Sequence, residues 1–177
     1  MIIYPLFLVS SLVSTPESWG AFGEMKTASI FHPNFFGKDG QILINNIHIS
    51  ENGTDHQIDH IVLLPYGIFV VETKNIFGTI LGQESDLMWN CINRGRMISI
   101  YNPIKQNETH CRVIKEFLGV KEVVSVVVFG NSNKPEGLPR YVVNLEELKP
   151  FVKSFNKGEI YTKEELTALK NKLTKQN

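Results

Sequence analysis

Two carboxylates and a lysine, Asp59, Glu72 and Lys74, are the residues of this chain whose types and spacing could do chemistry. They lie in QIDHIVLLPYGIFVVETKN, Gln57 to Asn75, where Pro65-Tyr66-Gly67 is a turn signal between two apolar, β-rich runs. Such a pattern reads as a hairpin of two strands. Alternation puts Gln57, Asp59, Ile61 and Leu63 on one face of the first strand, and Ile68, Val70, Glu72 and Lys74 on one face of the second. Phe69 and Val71 make the opposite face apolar as well, so the second strand reads as buried on both sides. Glu72 and Lys74 are costly there unless they pair or bind a metal. Asp59 and Glu72 share a side of the sheet only if paired positions sum to an odd number. A four-residue loop, Leu64 to Gly67, sets Asp59 opposite Glu72, and a two-residue loop sets it opposite Lys74. Facing carboxylates repel unless a cation lies between them, and oxygen-only ligands favour a hard ion such as Mg²⁺ or Mn²⁺. Lys74 would then hold or deprotonate a water at a scissile phosphate. Taken alone, Glu-x-Lys at a strand end reads first as a salt-bridged rim.

The words around this stretch add to it. Gly20-x-x-Gly23-Glu24 precedes it; GTILG, Trp89 and NPIKQN followed by His110 come after it. In that order, from about Gly20 to Phe117, they closely resemble the NERD (nuclease-related) domain, and Asp followed by Glu-x-Lys is similar to the PD-(D/E)XK nucleases. The resemblance implies an α/β, restriction-endonuclease-like core, a mixed β-sheet with flanking helices, carrying a metal-dependent nuclease. Glu24, Asp59, Glu72, Lys74 and Gln106 match the family's active-site positions. On that reading Asp59 and Glu72 hold one or two Mg²⁺ (or Mn²⁺), and the Thr73 carbonyl adds a ligand. Lys74 orients the attacking water, Glu24 tunes the metal or a second ion, and Gln106 with Gln57 completes the polar shell. The expected reaction is phosphodiester hydrolysis in DNA, by an endo- or exodeoxyribonuclease. The alternative is a catalytically silent module of the same fold that binds nucleic acid or protein.

The elements that must position these groups follow from local signals. Pro16 and Ser18 start a helix reaching about Phe31, with Gly20, Glu24 and Thr27 on one face. Gln41 to Ser50 reads as a strand that turns at Glu51-Asn52-Gly53. Alternation sends His56 and His60 to the face opposite Asp59, away from any shared metal. Strands are expected over Gly78–Gly82, Trp89–Ile92 and Met97–Tyr101; Arg94 and Arg96, at the tight turn between the last two, are candidate phosphate contacts. Asn102-Pro103 is a helix start and Gly119 its end, with Gln106, His110, Val113 and Phe117 along one stripe. His110 reads as a half-buried structural histidine. Glu122–Phe129 reads as a buried strand and Tyr141–Val143 as an edge strand, and capping boxes at Asn144 and Thr162 open two amphipathic helices.

Bulk properties fit this outline. A length of 177 residues supports one domain. We divide it into an apolar lead at 1–16, a nuclease-like domain at 17–143 and a helical appendage at 144–177. The uncharged lead is short for a spanning helix and lacks a basic n-region. Three readings stand for it: a membrane anchor, an apolar element packed on the core, or an unstructured lead. Cys91 and Cys111 lack metal-ligand spacing and read as reduced thiols, which places the chain in the cytoplasm, membrane-associated if the lead inserts. Net charge is zero, but residues 1–90 carry −6 and residues 91–177 carry +6. That split reads equally as acid for a metal with base for a phosphate track, or as solvated lysines on the C-terminal helices; DNA is the expected partner and RNA an open one.

Overall fold

The computed structural model describes residues 16–31, 41–131 and 134–175. The apolar lead therefore lies outside the described residues, apart from Pro16. Among the described residues no helix is long and apolar enough to cross a membrane.

Helix α1 (Pro16–Ile30) is followed by β1 (Ile42–Glu51) and β2 (Thr54–Leu64). These strands are joined at Asn52-Gly53, whose φ of 50° and 81° are the left-handed pair of a tight hairpin turn. β3 (Gly67–Lys74) pairs antiparallel with β2 from Leu64↔Gly67 to His60↔Val71. This is the register expected of the four-residue loop. The ladder closes one pair further, with only Pro65 and Tyr66 between the strands. One step beyond His60↔Val71, the same register brings Asp59 level with Glu72.

A second, three-stranded antiparallel sheet interrupts the main one: β4 (Thr79–Leu81), β5 (Met88–Asn93) and β6 (Arg96–Tyr101). The chain then runs through α2 (Pro103–Leu118), β7 (Val124–Phe129), β8 (Val142–Asn144), α3 (Leu145–Lys153) and α4 (Lys163–Thr174). β7 joins β3 in parallel and β8 joins β7 in parallel, giving the order β1-β2-β3-β7-β8. The fold is α/β, a mixed sheet between helices.

Each face of that sheet carries its own core. Ile61, Leu63, Ile68 and Val70 pack with Val113, Ile114 and Leu118 of α2 and with Leu166 and Leu173 of α4. On the other side Val62, Phe69, Val71 and Val126 pack with Phe31, Leu148 and Val152. A third cluster fastens the small sheet to the large one. Trp89 stacks on Phe129 with centroids 6.2 Å apart and planes 9° from parallel, and its indole N–H donates to the Gln83 carbonyl at 2.8 Å.

The expected alternation of β2 is not kept along its whole length. Ile58 and Ile61 lie in the same core cluster although they are three positions apart, which strict alternation would put on opposite faces, and Ile44 and Ile47 of β1 do likewise. The ladder skips the Asn46–Asp59 pair, and Asn46 has a φ of 50°. A left-handed residue other than glycine costs roughly 1–2 kcal/mol, and asparagine is among those that tolerate it. Here it turns both strands over at one level. Gln57 is thereby corrected: it does not share the face of Ile61 and Leu63, but is exposed and donates to Asn46 Oδ1 at 2.8 Å. His56 is corrected for the same reason, since its ring meets that of His110 edge-on at 6.4 Å, on the α2 side.

Close approach of α1 to the end of β3 depends on Gly23. A Cβ there would overlap the Cβ of Asn75, a buried residue just past β3. Rotation about χ1 cannot relieve that overlap. Gly23→Ala is expected to destabilise the fold by about 1–3 kcal/mol. Gly20→Ala, whose Cβ would meet nothing within 4 Å, should be neutral or stabilising by up to about 1 kcal/mol through helix propensity. Denaturant melts of both variants check this, and equal stabilities would show that α1 does not sit where described.

Candidate active site beside an arginine-flanked cleft

The parallel pairing of β3 with β7 carries Glu72 and Lys74 to the end of a strand buried in mid-sheet. Glu72 is 2% exposed, and its Oε1 accepts a hydrogen bond from Lys74 Nζ at 2.6 Å. The same ammonium donates to Gln106 Oε1 at 3.0 Å. Glu72 Oε2 lies 3.4 Å from His110 Nδ1, outside hydrogen-bond geometry, so both atoms are buried without a hydrogen bond. Across the hairpin, Asp59 Oδ2 accepts from the Thr73 backbone N–H at 2.8 Å. Thr73, whose carbonyl is the expected metal ligand, thus also meets Asp59 through its amide.

NPIKQN sets Gln106 and His110 in place. Asn102 Oδ1 caps α2 by accepting from Ile104 N at 2.9 Å, while its amide nitrogen donates to the Asp86 carbonyl at 2.6 Å. Pro103 follows at the first helical turn, and Gly119 ends the helix with φ 72°. Asn107, fully buried, donates to the carbonyls of Val70 at 3.0 Å and Val126 at 3.1 Å. These bonds rivet the helix across β3 and β7, so the Gln106 amide has little freedom relative to Lys74.

Electrostatics separate the two carboxylates. Burial, then the charge of Glu72, pushes the Asp59 carboxyl up to about 7; Glu24 adds to this, while the Thr73 N–H and Lys74 oppose it. Burial also pushes Glu72 up, but His110 and Lys74 together outweigh it and hold that carboxyl below its usual range. Glu24, half-buried on α1, is thus within electrostatic reach of Asp59.

A pH dependence follows with a definite sign. Asp59 binds its proton more tightly folded than unfolded, where its pKa is about 3.9. Its contribution to stability is full below about pH 4, is lost as pH rises from there to about 7, and stays lost above. Asp59→Asn keeps an oxygen for the Thr73 N–H and removes the charge. The variant should be more stable than the parent at pH 8, by on the order of a few kcal/mol, with the gap closing toward pH 4. His60, which burial pushes down to about 4, acts oppositely, its neutral form losing stability as pH falls below about 6.5. It is present in both proteins and cancels in the difference. Thermal melts across this range check the sign, and a pH-independent gap would mean an ordinarily ionised Asp59.

Lys74 and Thr73 also line a cleft of about 930 Å³ between the end of β3 and the β5–β6 hairpin. Arg94 and Arg96 line the same cleft. Arg94 (φ 49°) and Gly95 (φ 75°) form the two-residue turn, closed by the Asn93↔Arg96 pair, so both arginines sit on a stiff tip. The lysines of α3 and α4, which carry much of the basic second half, are not part of its lining. Gln57, an expected polar-shell residue, is exposed, donates its amide to Asn46 Oδ1 and is not part of the cleft lining.

Sequence reasoning missed Asn75. It lies between Gly23 and Gly130, accepts from Asn131 through Oδ1, and Asn131 in turn accepts from Lys26 Nζ at 3.2 Å. The signal was present in the last letter of ETKN. Phe77, in the cleft lining, carried no signal at all. Among the described residues no three His, Cys, Asp or Glu side chains are grouped to hold a metal ion. The oxygen donors at hand are Asp59 and Glu72, one with a buried atom left without a hydrogen bond.

Residues 19–130 match the family model described as the nuclease-related domain. The chain is 32% identical, over 123 residues, to an uncharacterized protein of Bacillus anthracis. That match covers 65% of this chain and 58% of the relative, so the chain spans little more than half of the protein it resembles. No solved structure matches it.

Proposed function

The chain belongs to the nuclease-related domain (NERD) family, and from that premise we propose that it is a divalent-metal-dependent nuclease hydrolysing phosphodiester bonds in DNA. One observation carries this reading. Lys74 is held between Glu72 Oε1 and Gln106 Oε1 while lining a cleft whose far wall presents Arg94 and Arg96.

Asp59 and Glu72 fit a hard cation. Their oxygens stand on neighbouring strands, burial and then the charge of Glu72 keep the Asp59 carboxyl far above its usual range, and Glu72 Oε2 has no hydrogen-bond partner. A Mg²⁺ ion is commonly held by one or two carboxylates and completes its shell with water and substrate phosphate, so a third acidic ligand is not required. When bound, such an ion lowers the pKa of a water and polarises the phosphoryl oxygens. The chain's own groups supply the remainder. Gln106 steers the Lys74 ammonium, which stabilises charge on the phosphate and orients the attacking water. Arg94 and Arg96 bind flanking phosphates and fix the register of the strand. Glu24 adds negative charge beside Asp59 and favours cation binding there.

The silent-module alternative has its own support in the 2.6 Å Glu72–Lys74 ion pair, which neutralises the cluster without any ion. Cleavage of linear, nicked and circular DNA with Mg²⁺ or Mn²⁺ tests between them. Product formation that EDTA stops is the expected result; intact DNA with both ions would leave binding as the function.

A further inference from the structure

The cleft beside Lys74 is more than a phosphate track. Its lining also includes Ile76, Phe77, Ile98 and Ile100, and among the described residues no carboxylate contributes to it. Arg96, Ile98 and Ile100 alternate on one side of β6, so a cation and two apolar side chains form one wall. Phe77 stands in the segment between β3 and β4, 39% exposed, and Ile98 is 51% exposed. Large, partly exposed apolar side chains beside three cations suit a ligand that is anionic along one edge and flat and apolar along the other.

Resting on the nuclease reading, we propose that this cleft takes single-stranded rather than duplex nucleic acid, its bases laid against Phe77 and the Ile98–Ile100 wall and its phosphates on Arg94, Arg96 and Lys74. A duplex keeps its bases stacked inside and offers phosphate and sugar, which would leave the apolar wall facing charge. At about 930 Å³ the cleft is of small-ligand size. Cationic grooves with an aromatic stacking platform are the general solution for binding strands irrespective of sequence. The stiff Arg94-Gly95 turn matters here, since it fixes the arginines relative to the apolar wall of the same hairpin.

Fluorescence anisotropy with EDTA present separates binding from cleavage, using a thymidine oligonucleotide and a hairpin duplex of equal length. The wild type is expected to bind the single strand at least ten-fold more tightly. Phe77→Ala should weaken single-strand binding roughly ten-fold and duplex binding little. Phe77→Leu, which keeps apolar bulk and guards against a folding defect, should show the same direction with an unchanged melting temperature. Arg94→Ala should lower the log–log salt slope for the single strand by roughly 0.7. Equal or tighter duplex binding would overturn the proposal, as expected if the β5–β6 ribbon instead enters a major groove. It would leave the nuclease reading standing wherever cleavage is seen. Absence of both binding and cleavage would overturn the two together.

Discussion

Lys74→Ala is expected to reduce DNA cleavage by at least 10²–10³-fold, the usual loss when one preorganised charge is removed from a transition state. Lys74 is the residue shared by the carboxylate cluster and the cleft, through Glu72 at 2.6 Å on one side and the cleft wall on the other. DNA affinity should fall only slightly, because Arg94 and Arg96 remain and one phosphate contact among several has a modest effect. Stability is a separate matter. Truncation strands Glu72, 2% exposed, without its ammonium, and breaking a buried pair from one side costs about 3–5 kcal/mol. Some of that is relieved because Lys74 is itself 20% exposed and water can enter behind it. Lys74→Arg keeps the charge and should fold, yet a planar guanidinium cannot replace a compact ammonium between Glu72 and Gln106, so cleavage should still drop. Adding Glu72→Gln to Lys74→Ala should restore much of the stability and none of the cleavage. Persistent cleavage by rigorously purified Lys74→Ala would sink the proposed mechanism.

Divalent ions should raise the melting temperature of the wild type and not that of Asp59→Asn. Two carboxylates level on neighbouring strands repel in the absence of metal, and the charge of Glu72 adds to burial in raising the Asp59 pKa. An ion that binds only the folded protein stabilises it by mass action, about 2.7 kcal/mol at a hundred-fold excess over Kd. For a chain of this size that is a shift of roughly 5–10 °C. Asp59→Asn is expected to start more stable than the wild type at neutral pH and to be indifferent to Mg²⁺ or Mn²⁺. Calorimetry at fixed ionic strength separates this from screening. A wild type that melts at one temperature with and without either ion would make the Glu72–Lys74 pair structural and remove the metal from the reading.

Much of this was legible in the sequence. Parity alone required Asp59 and Glu72 to come level for one hairpin register, and Leu64↔Gly67 closes that register. Asn102-Pro103 and Gly119 bounded α2, and the Thr162 capping box opens α4 with Glu165 N donating to Thr162 Oγ1 at 3.2 Å. The strands at Thr79–Leu81, Met88–Asn93 and Arg96–Tyr101 were placed to within a residue or two by their turns. These are near-neighbour effects: backbone preference, capping and period act over a few residues, so a short window of sequence contains them.

Tertiary structure alone decided the remainder. The reversal of facing at Asp59 depends on Asn46, on another strand, adopting a left-handed φ, and it moved Gln57 outward and His56 toward His110. Lys74 finds Gln106 because Asn107 pins α2 to the carbonyls of Val70 and Val126. The cleft exists because Trp89 stacks on Phe129 and holds the small sheet beside the large one, bringing Arg94 and Arg96 to the end of β3. Asn75 fits only because two glycines far apart in the chain leave it room. Each is a contact between residues distant in sequence, settled by how whole elements pack, and periodicity within one element carries no information about it.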